Sequence, residues 1–180
     1  MATDGKSHRL LALAERSSYI ENILRHALVA SLSCEVWSRD PALSLQVFNS
    51  EVDDSGFDIV LTYQSRIRYV QLKQSHDAKL PPYCSISLSF SRMPGSCVVL
   101  MSHALSTLQL TSFRFFGGVT TSDAMPAIGE LRASKSPGRR SATGERKVRA
   151  NYRDIPVRQF TGLLSAAELL DALFPPAYAG

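Results

Sequence analysis

Apolar side chains recur at three- and four-residue steps from residue 8 to about 33, through Leu10, Leu13, Ile20, Ile23, Leu24, Ala27, Leu28 and Leu32. That period predicts a long helix with one face turned to a core. Ser17 and Ser18 interrupt it. The pattern therefore admits a break, with one serine as N-cap and Glu21 as the acid of the following turn. Asp40-Pro41 marks a turn, and beyond it the period shortens to two. "LSLQVF", Leu43 to about Asn49, reads as a strand, and "EVDDSG" as a polar turn. "FDIVLTY" (57–63) and "IRYVQLKQ" (67–74) are two further strands, and "YCSISLSFS" (83–91) is a strand or a bent segment. "SCVVLMS" (96–102) is continuously apolar, as in a strand buried on both faces. "TLQLTSFRFFGG" is another strand, closed by Gly117-Gly118. Residues 119 to about 147 look irregular, and "DIPVRQF" reads as a short edge strand. "SAAELLDALF" is a closing helix with Ser165 as N-cap and Glu168 at N3. The order predicts an α/β fold in a single domain, a central mixed sheet flanked by helices. Its core spans about 8–118, a basic flexible segment about 132–150, and a C-terminal helix about 165–174.

The hairpin within "GFDIVLTYQSRIRYVQLKQ" carries an acid, an amide and an amine among apolar neighbours. A two-residue turn at Gln64-Ser65 sets Asp58 directly opposite Gln71, with Cβ atoms about 5 Å apart. A turn shifted by one residue sets Asp58 opposite Lys73. In either register Asp58, Val60, Tyr69, Gln71 and Lys73 share one face, because side chains alternate. Phe57, Ile59, Leu61, Val70 and Leu72 form the other, an apolar core face. The residues alone admit two readings of the polar face: a salt bridge on a solvated sheet, or a site.

The totals narrow the rest. The chain has 180 residues, 44% of them hydrophobic and 20% charged, with a formal charge of +4. This suits one soluble domain and allows, without requiring, a polyanionic partner. No apolar run approaches the roughly 20 residues of a membrane helix, and "LLALA" is followed at once by Glu15 and Arg16 rather than continuing as a signal sequence. Three scattered cysteines, Cys34, Cys84 and Cys97, form no CxxC pair and read as reduced, mostly buried thiols of a cytoplasmic protein. His8, His26, His76 and His103 lack metal-ligand spacing, and no phosphate-cradling glycine motif is present.

Asp58 followed by "QLK" at 71–73, behind a helix bearing Glu21 three residues before Leu24, resembles the PD-(D/E)XK nuclease superfamily. The likeness is to its branch with Q-x-K in place of (D/E)-x-K, and to a bacterial "D-x-G-[YF]-D…QLK" core. The resemblance covers residues 17 to 73. It implies a restriction-endonuclease-like fold: a helix, a three-stranded meander, a helix and a further strand. It implies Mg²⁺-dependent (or Mn²⁺-dependent) hydrolysis of phosphodiester bonds in DNA, and is compatible with a homodimer. Asp58, Gln71, Lys73 and Glu21 would be catalytic; Asp58, Glu21, the Gln71 carbonyl and the Leu72 backbone carbonyl would hold the metal. Gln71 departs from the usual second acid and is a weaker ligand for a hard cation, so Glu21 must supply the missing charge. Glu51, Asp53 and Asp54 are reserve acids.

Lys135, Arg139, Arg140, Arg146, Lys147 and Arg149 lie in a Gly/Ser-rich stretch that reads as a flexible solvated loop or as a segment tracking a phosphate backbone, with Tyr152 as one stacking group, too little for a single-strand platform. The alternative is a nuclease-fold protein that has lost catalysis and serves as a nucleic-acid-binding or protein-interaction module.

Overall fold

The computed structural model describes residues 2–49, 56–76, 79–136 and 146–176, with side chains except at 2–6, 13 and 14. Helix α1 (Ala2–Glu15) is followed by α2 (Ser17–Arg39). The break falls between Ser17 and Glu15 as the sequence suggested, but the N-cap position of α2 is Arg16, and no side chain caps it. Neither Ser17 nor Ser18 caps the helix, because both already lie within its first turn. The buried stripe of α2 is Ile20, Leu24, Leu28, Leu32 and Val36, a strict four-residue step. It extends one turn past the expected end.

Strands β1 (Gln46–Asn49), β2 (Ile59–Tyr63) and β3 (Arg66–His76) form an antiparallel meander. Gln64 and Ser65 both have positive φ, 49° and 62°. This is the geometry of a two-residue hairpin turn whose twist matches its strands. Tyr63 therefore pairs with Arg66 and Ile59 with Val70, the first of the two registers. After β3 come β4 (Tyr83–Ser87) and a single helical turn, α3 (Leu88–Ser91), capped by the Ser87 hydroxyl, which accepts from the Phe90 N–H at 3.1 Å. The chain then returns as β5 (Ser96–His103), parallel to β3. Strands β6 (Leu110–Gly117) and β9 (Thr161–Leu163) complete a six-stranded mixed sheet in the order β1-β2-β3-β5-β6-β9. Every residue of β5 is buried, as its unbroken apolar run required.

The principal departure is a second sheet, β4-β8-β7, built with β7 (Ala133–Lys135) and β8 (Val148–Pro156). The sheet is not flanked by helices on both sides. One face packs on α2 and on α4 (Ala166–Leu173), around Leu24, Leu28, Ile59, Leu61, Val99 and Leu170. The other packs on the small sheet and α3, around Ile86, Phe90, Val98, Leu100, Ile155 and Phe160. "DIPVRQF" is accordingly not an edge strand. Its first half ends β8, the middle strand of the small sheet, and Val157–Gln159 is a 3₁₀ turn.

At α4 the capping box forms with one difference. The Ser165 hydroxyl accepts from the Glu168 N–H at 3.1 Å, while the Glu168 carboxylate accepts from Leu164, one residue before the N-cap, at 2.8 Å. Among the described residues no helix is long and apolar enough to cross a membrane.

Two thiols are core atoms. Burial pushes Cys97 up to about 12 and Cys84 up to about 11, with Arg68 and Lys73 respectively pulling the other way. Cys34, by contrast, is exposed, because it lies off the buried stripe of α2. An unfolded thiol ionises near pH 8.5, so above that pH the unfolded chain loses these protons first. Stability is fully present below about pH 8.5 and falls as pH rises toward 11, by up to about 1.4 kcal/mol per pH unit per thiol. Urea unfolding between pH 8 and pH 10 should show this loss, and Cys97→Ala should flatten the slope; equal slopes would remove the thiols as its cause.

Candidate functional site

Asp58 stands where the chain bends into β2. Its N–H donates to the carbonyl of Val70, the partner of Ile59, at 2.9 Å, so the regular ladder ends at Ile59 and Asp58 closes it as an irregularity. Its Oδ2 accepts from the Leu72 N–H at 2.6 Å. Alternate residues of a strand turn their backbone groups to the same neighbour. Because the Val70 carbonyl faces β2, the Leu72 carbonyl faces that side too, past the point where β2 begins.

The hairpin's polar face is half-buried, apart from Asp58, which is exposed. The small sheet and α3 cover it, and Tyr69 and Phe57 pack there at a ring separation of 5.3 Å. Phe57 is thus on the opposite side from the one alternation assigned to it, because the chain bends at Asp58 and breaks the period. Gln71 is consequently drawn inside. Its Oε1 is buried without a hydrogen-bond partner, and so is that of Gln74. A buried acceptor left unpaired costs about 1–3 kcal/mol, so each amide oxygen is poised for a donor or a cation.

The other face is not wholly apolar either. Arg68, between Arg66 and Val70, is completely buried in it. Its Nε donates to the Leu173 carbonyl at 2.7 Å and its Nη2 to the Gly118 carbonyl at 3.0 Å. Burial pulls its pKa below the usual arginine range. No sequence periodicity distinguishes such an arginine from an exposed one.

Two clefts, each of about 440 Å³, meet at the Asp58 end of the sheet. The first opens between α2 and the sheet. Glu21, Asn22 and Arg25 line it from the helix, and Asp58, Leu72 and Lys73 from the hairpin. The second opens between β3 and the small sheet, where Asp58, Gln71 and Lys73 face Tyr83, Arg149 and Tyr152. Asp58, Lys73 and Gln74 belong to both. Lys73 has no carboxylate within ion-pairing distance among the described residues, so the salt-bridge alternative for the pair does not form.

The fold thus places Glu21, Asp58 and Lys73 on one cleft, and Asp58, Gln71 and Lys73 on the adjoining one. Glu21 and Gln71 approach from opposite faces of the sheet and share no cleft. The available donors are oxygens: the Asp58 and Glu21 carboxylates, the unpaired Gln71 Oε1 and the Leu72 carbonyl. Such a set fits a hard divalent cation. It holds two carboxylates, and no cluster of three His, Cys, Asp or Glu side chains suited to a metal occurs among the described residues.

Of the basic segment, Arg139 and Arg140 lie outside the described residues, as do Glu51, Asp53 and Asp54. Lys135 is exposed on β7, and Arg146 and Lys147 are exposed ahead of β8. Arg149 alone reaches the site, its guanidinium carbon 3.3 Å from the centre of the Tyr152 ring. Arg25 and Gln74 were not singled out by sequence. Arg25 lies one helical turn beyond Glu21, which was the available signal. Gln74 follows Lys73 directly, but nothing in its spacing marks it.

No family model matches the chain, and no curated protein matches it. The fold and the clefts define a single-body α/β protein with a polar, oxygen-rich notch at one end of a mixed sheet.

Proposed function

We propose that the protein is a metal-dependent nuclease of the restriction-endonuclease-like fold, acting on DNA at the Asp58 end of the sheet. The observation that carries this is the unpaired, buried Oε1 of Gln71 beside Asp58, with Lys73 two residues on and free of any ion pair among the described residues. The element order supports the fold assignment. Helix α2 precedes a three-stranded meander, and a crossover containing α3 leads to β5, parallel to β3.

Asp58 and the Leu72 carbonyl would hold a Mg²⁺ or Mn²⁺ ion at the junction of the clefts, with Gln71 Oε1 reaching it from one cleft and Glu21, directly or through water, from the other. Such an ion polarises a phosphodiester and lowers the pKa of water. Asp58 is held in place by the Leu72 N–H, which limits the rotamer freedom it would lose on binding a cation. The Lys73 ammonium offers three donors to non-bridging phosphate oxygens, where charge accumulates as the bond to the leaving oxygen breaks. Held between the two clefts, it can meet phosphate from either side. The test is cleavage with Mg²⁺ of a labelled single strand and of supercoiled plasmid by the wild type, Asp58→Ala and Lys73→Ala.

A second reading follows from the small number of acids. With two carboxylates and a neutral amide, the notch would hold metal weakly, and the protein would then be a non-catalytic binding module. Calorimetric titration with Mn²⁺ separates the two readings. Binding at millimolar metal that disappears in Asp58→Ala supports the nuclease; no such binding favours the module.

A further inference from the structure

The structure assigns to Arg149 and Tyr152 a specificity role: we propose that they form a stacking platform that admits an unpaired nucleotide, so that the strand engaged at Lys73 is single-stranded. This rests on the nucleic-acid reading of the site above. Three observations carry it.

The first is a bulge. β7 pairs with β8 as Ala133↔Arg153 and then as Ser134↔Arg149, so Ala150, Asn151 and Tyr152 are extra residues on β8. Three residues apart in a regular strand, Arg149 and Tyr152 would face opposite sides. The bulge turns both into the cleft, a recurrent means of re-aiming side chains near a site. Arg153 holds it in place, its Nη1 donating to the Ala150 carbonyl at 2.6 Å and the Tyr152 carbonyl at 3.0 Å, and its Nε to Gly129 at 3.0 Å.

The second is charge. Arg149 sits over the Tyr152 ring, its guanidinium carbon 3.3 Å from the ring centre, and has no carboxylate partner among the described residues. Stacked in this way, a guanidinium presents a planar cationic surface, suited to a base on its face and a phosphate at its edge.

The third is size and chemistry. The cleft holds about 440 Å³, the scale of one small ligand, and the small sheet walls it on the side facing β3. A nucleotide enters it; a duplex, whose bases are stacked within it, presents none to the platform. The amide oxygen of Gln74 in the same cleft is buried and unpaired, an acceptor for the edge of an entering base.

Fluorescence anisotropy without divalent metal tests this, using a labelled single strand and a duplex of the same length. The wild type should bind the single strand at least about tenfold more tightly, and Tyr152→Ala should remove about tenfold of that affinity while leaving duplex binding unchanged. Tyr152→Phe, which keeps the ring, should bind as the wild type does. Equal affinity for the two forms, or a Tyr152→Ala variant with unaltered preference, overturns the proposal. Cleavage is a separate readout. Single-strand preference without cleavage removes the nuclease reading alone, and cleavage with no strand preference removes this one alone. Thermal midpoints of both variants identify any loss caused by unfolding, and Arg149→Ala, which keeps the tyrosine, then decides the matter by the same preference.

Discussion

Asp58→Ala should abolish Mg²⁺-dependent cleavage of DNA, single strand or plasmid, lowering its rate at least about a hundredfold, with little effect on stability. The two outcomes separate because of where Asp58 sits. It is exposed at the strand's start, so the Leu72 N–H that it accepts from can turn to water when the carboxylate is removed. Asp58→Asn sharpens the test. The amide can still accept from Leu72, but it carries no charge for a cation. If charge is what matters, Asn fails as completely as Ala; if Asp58 only braces the hairpin, Asn restores activity. Lys73→Ala should lose a comparable factor, because its ammonium is the cation shared by both clefts. Nicked and linear products on a gel report all four proteins. Cleavage that persists at the wild-type rate in both Asp58→Ala and Lys73→Ala would sink the nuclease assignment.

Arg68→Ala should destabilise the protein by about 3–5 kcal/mol, measured by urea unfolding. The side chain is fully buried and joins β3 to the last carbonyl of α4 and to Gly118 beyond β6. A cation at a helix C-terminus also meets the negative end of its dipole. Truncation leaves two carbonyls unpaired and a void the size of a long side chain. Arg68→Met keeps most of the volume and removes a desolvated charge, so it should lose less than the alanine variant. A loss below about 1 kcal/mol in Arg68→Ala would show that the arginine is tolerated in the core rather than required there.

Much of this architecture is legible in the sequence where a local pattern has one physical solution. The four-residue step of α2 can bury only one stripe. The unbroken apolar run of β5 can sit only between two covered faces. The Gln64-Ser65 turn, once placed, fixes the register that brings Asp58 and Gln71 to one cleft. What local pattern cannot show is what covers each face. Alternation left the face of Gln71 as either a solvated sheet or a site; the second sheet, assembled from β4 and from strands more than forty residues later, half-covers that face and buries the Gln71 Oε1.

The sequence by itself determined the α/β class, the hairpin and the adjacency of Asp58, Gln71 and Lys73, because period and turn geometry act over a few residues. The tertiary structure alone decided three things: that Glu21 lines a cleft with Asp58 and Lys73, that Arg68 is buried, and that a bulge turns Arg149 and Tyr152 toward Lys73. Each depends on contacts between segments distant in the chain, and the energy that fixes them is burial and hydrogen bonding across the assembled sheets, which no local window contains.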